Sequence, residues 1–264
     1  MPSPRKPAAP SKAPPPPRAR PGRPRKQDAA NGGTPALGRE RILQAALALI
    51  DRKGLAAFNI RELATELGVF PAAIYWHVPS RDALVSGAIA LALSDVATGL
   101  PDGTWQVRLQ AVLQRFREAL RQHPHLAPAV ASELAYNAAF DAPLLQHVVA
   151  ALEDARFEGE ALVDAFNVVI AAMCGFATLE LSSAPPDDTA DWEAACRARL
   201  DAVDHAQHPH LWRNLDALRN RAFLLRWSSG KTQPLDSGFA AWVDVVLRGL
   251  ESRSRALRAA ARSA

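Results

Sequence analysis

The segment from Asn59 to Asp82, NIRELATELGVFPAAIYWHVPSRD, constrains this chain more than any other, because it spells out two short helices and the turn between them. Asn59 can cap a helix whose Glu62 reaches back in a capping box, and Ile60, Leu63, Ala64 and Leu67 fall on one apolar face at i, i+3, i+4 and i+7. Gly68 follows the last periodic residue, where a left-handed cap is needed, and Pro71 restarts a helix at a position with no N–H to lose. The second helix, Pro71 to Val78, has only Ile74 and Val78 to bury, yet it carries Tyr75, Trp76 and His77. Pro79 stops it, and Ser80 can cap the next helix. Helix, glycine turn, helix is the helix-turn-helix plan, whose second helix enters the DNA major groove.

Charge is distributed to match. Residues 1–35 hold eight Lys/Arg against one acid, Asp28, whereas residues 91–250 hold 13 basic and 20 acidic residues, so a basic front precedes an acidic body. Binding of a polyanion is therefore expected of the N-terminal part, a point hidden by the overall pI of 9.4. With 264 residues, 48% of them hydrophobic, the chain can build one large core or two smaller ones.

Cys174 and Cys196 are the two cysteines, and both lie in helical-looking runs, so neither a disulfide framework nor a zinc knuckle is indicated. The sequence reads as lacking a membrane span and a secretory signal, and the expected location is the cytoplasm. Asp201, Asp204, His205, His208 and His210 form the densest set of possible metal ligands, but Pro209 interrupts the helix they would need, and no metal site or cofactor is expected. No glycine-rich phosphate loop, no GxSxG and no Cys–His pairing supports an enzyme.

In chain order, residues 1–35 hold 11 of the 21 prolines and almost no large apolar side chain, and read as a disordered arm. Within it RPGRPRK, with Arg23 and Arg25, resembles an AT-hook, which lays an extended Arg-Pro segment in a narrow minor groove. Arg39 to Lys53 places Ile42, Leu43, Ala46, Leu47, Leu49 and Ile50 on one stripe and ends at Gly54, giving the first helix of a three-helix head over residues 36–80.

The outline LxxAxxLIxxxGxxxFNIRELATELGVxxxxIYWHVPSRDAL, over residues 39–93, resembles the N-terminal domain of the tetracycline-repressor (TetR) family of bacterial transcriptional regulators, and IYWHV resembles the tetracycline repressors themselves. Carried over, the resemblance implies that Arg61 reaches a base or phosphate. It implies that Pro71, Ala72, Ala73 and Tyr75 line the groove and that His77 and Arg81 lie near phosphates. The chemistry is compatible: a guanidinium can fork to guanine, a hydroxyl can meet a phosphate, and alanine methyls can touch thymine methyls. Trp76 reads as a packing residue.

Beyond Arg81 the helical spacing continues without any period-2 strand pattern, so the body, residues 81–252, is expected to be all-α, with a basic tail over 253–264. Leu162 to Leu181 is apolar around most of its girth and must be central or shared with a second subunit. The resemblance implies that this helix and Asp236 to Leu250 pair with their symmetry mates in a homodimer on a palindromic operator. It also implies a cavity for a small effector, lined from among Trp105, Leu109, Phe116, Val130, Leu134, Phe176 and Thr178. Laid without gaps on the tetracycline-repressor pattern, Ala97, Val112 and Val130 replace His, Asn and a magnesium-binding His, so an apolar effector without a metal is expected. The rival readings are a DNA-architectural protein dominated by its basic arm, and an all-α enzyme or carrier.

Overall fold

A computed structural model describes residues 37–130, 142–181 and 189–263. The arm with Arg23 and Arg25, and Leu134, lie outside the described residues.

Local signals fix the first helices. α1 (Arg39–Lys53) ends where Gly54 takes φ 83°, α2 (Ile60–Leu67) is capped by Asn59 and α3 (Pro71–His77) begins on its proline. α4 (Arg81–Leu93) follows the Ser80 cap, whose Oγ accepts the Ala83 N–H at 3.0 Å. Ile42, Ala46, Leu49, Ile50, Leu63, Ile74, Val78, Leu84 and Ile89 bury their side chains together. Burial of this set drives the head to fold, since each side chain removed from water contributes roughly 1.5–3 kcal/mol before chain entropy is subtracted. α1 packs chiefly on α4, where Gly87 permits close approach: a Cβ there would stand 2.5 Å from Leu43 Cδ2.

The body is built from α5 (Trp105–Gln122), a 3₁₀ turn at Pro124–Leu126, α6 (Ala142–Asp154), α7 (Gly159–Leu181), α8 (Thr189–Asp201), α9 (Pro209–Leu218) and α10 (Asp236–Ser263). α5, α6, α7 and α10 pack against one another, and the core runs without a break from the head into this layer. The described residues contain helices and no strand. Two expectations change, and one point that the sequence leaves open, whether the basic C-terminal end is helical, is decided. Pro209 starts α9 instead of ending structure, because proline at the first helical position sacrifices an N–H that has no partner there. The basic residues 253–263 continue α10, whose Arg-rich end suits the negative pole of the helix dipole. α7 is long and apolar enough by length and composition to cross a membrane, against the reading that no such stretch exists. Its inner side is buried by α5, α6 and α10, while Val163, Val168 and Leu179 remain exposed on its outer side.

Candidate nucleic-acid interface

α2 is fixed at both ends, and its far end is the turn that leads into α3. Asn59 Oδ1 accepts the Glu62 N–H at 2.9 Å, and Asn59 Nδ2 donates to Glu62 Oε2 at 3.4 Å, so the capping box closes on the side-chain amide. Lys53 pairs with Glu62 and Arg52 with Glu66, tying α2 to the end of α1. At the far end Gly68 is left-handed (φ 68°, ψ 33°); Val69 N–H donates to Ala64 O at 2.9 Å and Gly68 N–H to Thr65 O at 3.1 Å. That paired closure at a glycine reverses the chain within one residue and sets the angle at which α3 leaves.

Ile74 and Val78 face inward, and the opposite side of α3 is open to solvent. Trp76 is two residues from each, which at 3.6 residues per turn places it on the far side from both. It is 87% exposed, so the packing role read for it is corrected: it stands on the outward face with Ala72, and Tyr75 flanks it, 46% exposed. Pro71, Ala73 and His77 are half-buried along its margins. Arg61 projects from α2, exposed, with no side-chain partner among the described residues. Arg81 is committed to the scaffold: its Nη2 donates to Leu55 O at 2.9 Å and Nε to Phe58 O at 3.4 Å, and its guanidinium stands 5.7 Å over the Phe58 ring. A phosphate contact by Arg81 would use its remaining N–H groups. Phe70, at the N-cap of α3 and 85% exposed, was not singled out by sequence reasoning, which assigned roles only to Gly68 and Pro71 on either side of it.

In the body, Trp105, Leu109, Phe116, Val130 and Phe176 all belong to the buried core, as do Ala97 and Val112, and Thr178 is half-buried beside them. A cleft of about 530 Å³ opens instead between α5 and α10, lined by Gln110, Gln114, Arg117, Phe239 and Val243 among others. Its floor is a charge network. Arg117 Nε and Nη2 donate to Glu180 at 2.7 and 2.6 Å, Nη2 also reaches Asp236 Oδ1 at 2.8 Å, and Glu180 Oε1 accepts the Leu235 N–H at 2.7 Å. The hydrogen bonds that Glu180 accepts hold the Arg117 guanidinium above its ordinary pKa despite its burial. The ring of Phe239 lies 4.5 Å beneath it. This network joins residues 63 and 119 positions apart, and no local pattern in the sequence announces it. Head and body meet where His123 Nδ1 lies 2.8 Å from Asp51 Oδ2, with His125 beside Gly54.

Two family models cover this architecture. Residues 42–88 match the family described as "Bacterial regulatory proteins, tetR family", and residues 98–253, more than half of the chain, match "Tetracyclin repressor-like, C-terminal domain". The chain belongs to the TetR family. Its TetR relatives include the class D tetracycline repressor protein of Escherichia coli, 31% identical over 90 residues, which are 33% of this chain and 41% of that protein. An uncharacterised HTH-type transcriptional regulator of Mycobacterium tuberculosis is 30% identical over 165 residues, 59% of this chain and 75% of that protein. The chain spans roughly two fifths of the length of the first curated relatives it matches. Among solved TetR structures, apo ActR from Streptomyces coelicolor superposes with a TM-score of 0.66 at 18% identity, covering 85% of this chain and 100% of that one. ActR has also been crystallised with actinorhodin.

Proposed function

We propose that this TetR-family chain is a transcriptional repressor that binds a palindromic operator as a homodimer and releases it when a small effector occupies its body. The observation that carries the reading is the outward face of α3. A helix held by a glycine turn presents Ala72, Tyr75 and Trp76 to solvent, with Arg61, exposed on α2, belonging to the same motif. Among the described residues none buries these side chains, and a major groove accepts a helix of this kind. Repression acts on DNA, so the cytoplasm is the expected compartment.

The homodimer is supported by the outer faces of α7 and α10. Val163, Val168 and Leu179 on α7 and Trp242 and Val245 on α10 are exposed, and Gly175 and Gly249 leave open space above both helices. Trp242 Nε1 donates to Ala172 O at 3.2 Å, which joins the two helices into one surface. An apolar face of this kind is costly in water and complementary to its own copy across a twofold axis.

A small-molecule effector is proposed from the likeness to ActR and its bound actinorhodin. Its site includes the body helices, and substitution of Ala97, Val112 and Val130 for polar and metal-binding residues favours an apolar effector held without a metal. Release requires that the effector prefer the DNA-incompetent state; a tenfold loss of operator affinity needs a differential of about 1.4 kcal/mol. The DNA-binding part is tested by replacing Arg61 and Tyr75 together with alanine. The double variant should fold as the wild type and lose sequence-specific binding, and retention of full operator affinity would remove both residues from the interface.

A further inference from the structure

We infer that Phe70 is a base-reading residue of this protein and that it recognises the 5-methyl group of a pyrimidine in the operator half-site. The inference rests on the proposed DNA-binding role of α3 and assigns one of its contacts.

Phe70 occupies a position where two ordinary rules are broken together. It is the N-cap of α3, with an extended backbone (φ −80°, ψ 148°) and no side-chain cap hydrogen bond. Serine, threonine, asparagine and aspartate are favoured there because an oxygen can accept one of the unpaired N–H groups of the first turn, and a phenyl ring offers none. The ring is also not used for packing, since it is 85% exposed and does not belong to the core or to the partly buried residues around it. Helix start and solvation both disfavour phenylalanine at this place in the free protein.

The backbone around Phe70 is nonetheless well determined. Its carbonyl accepts the Ala73 N–H at 2.9 Å, Pro71 follows it, and two residues before it the Gly68 turn is closed by two hydrogen bonds. The ring is thus rooted on a rigid corner, at the end of α3 from which recognition helices contact base edges. A phenyl group cannot hydrogen-bond with a base edge. The apolar feature that base pairs display in the major groove is the C5-methyl group of thymine, which 5-methylcytosine shares. The rest of the outward face agrees: Ala72 is a methyl and Trp76 mostly ring, so the face is short of side chains that read donors and acceptors and suited to reading methyl groups.

The test uses the full-length chain and a duplex it selects from random DNA. Each thymine of the half-site is replaced in turn, symmetrically in both half-sites, by deoxyuridine, which removes the methyl and keeps the base pair. Binding is measured for the wild type, Phe70→Ala and Phe70→Leu. Burial of one methyl corresponds to about a fourfold effect per half-site, so about fifteenfold for a symmetric replacement. The wild type should show that loss at one position, Phe70→Ala should be indifferent to deoxyuridine at that position while remaining sensitive elsewhere, and Phe70→Leu should be intermediate. With that pair changed to C·G, 5-methyldeoxycytidine should recover affinity that deoxycytidine does not.

The inference is overturned if wild type and Phe70→Ala respond alike at every thymine, or if the selected half-site has no thymine. It also falls if Phe70→Ala binds the selected duplex as tightly as the wild type. Failure to select any sequence would instead overturn the DNA-binding reading itself, a distinct outcome.

Discussion

Asp51, in the last turn of α1, holds His123 at the end of α5 through an Oδ2 to Nδ1 contact of 2.8 Å, so the first helix of the head is fastened to the long helix of the body. α1 packs chiefly on α4, the helix that leaves the α2–α3 motif, and α4 in turn packs on α5. A shift of α5 relative to α1 therefore reaches the reading helix by two routes. Asp51→Asn and His123→Ala should each cost about 1 kcal/mol in stability, the value of a partly buried hydrogen bond. Both should change the operator affinity of the free protein or its response to effector while leaving base preference intact. Operator titrations with each single variant and the double variant check this; equal affinities and equal effector responses throughout would show that the contact plays no part in coupling.

Glu180 is the better candidate for a purely structural charge. It is 1% exposed, and Gly230 has no room for a side chain because a Cβ would stand 2.4 Å from Glu180 Cγ. Glu180→Ala should destabilise the body by about 3 kcal/mol, since Arg117 loses its principal partner in a site where charge is poorly solvated. Arg117→Met combined with Glu180→Leu should cost much less than the sum of the single changes. Urea unfolding of the four proteins measures the coupling.

The turn glycine makes a sharper demand. Gly68 has φ 68°, where a side chain pays roughly 1–2 kcal/mol, so Gly68→Ala should lower the melting temperature. It should also lower operator affinity by more than the stability loss explains, because the exit angle of α3 depends on this residue. Calorimetry and binding on the same preparation separate the two effects.

Alkaline pH should weaken the fold through Cys174. Burial pushes its thiol up to about 11 from an ordinary 9.0, so between these values the unfolded chain gives up the proton and the folded chain keeps it. Stability from this group is complete well below pH 9 and is lost as pH rises through 11, by about 3 kcal/mol in all. Cys174→Ala should have a flatter stability profile over that window than the wild type, measured by denaturant unfolding at each pH.

What was legible in the sequence was local. The caps at Asn59 and Ser80, the glycine after α2 and the proline opening α3 act within four residues of themselves, and the structure places each where its chemistry requires. What depended on the far side of the molecule was not legible. Trp76 was read as a packing residue because aromatic side chains usually pack, although the positions of Ile74 and Val78 already placed it opposite the core. α9 was missed because a proline can begin a helix as well as end one, and only the following residues decide. The Arg117–Glu180–Asp236 network joins three helices, and its members look like ordinary surface charges in the sequence. The cleft above that network follows from how α5 and α10 cross, which no single segment encodes.

Selection of bound sequences from random duplex DNA by the purified chain tests the central claim most directly. A dimeric repressor with this head should enrich a palindrome whose half-sites lie about 10–10.5 base pairs apart, centre to centre, or a multiple of that spacing. Enrichment of AT-rich DNA without a palindrome, or no enrichment at all, would contradict it.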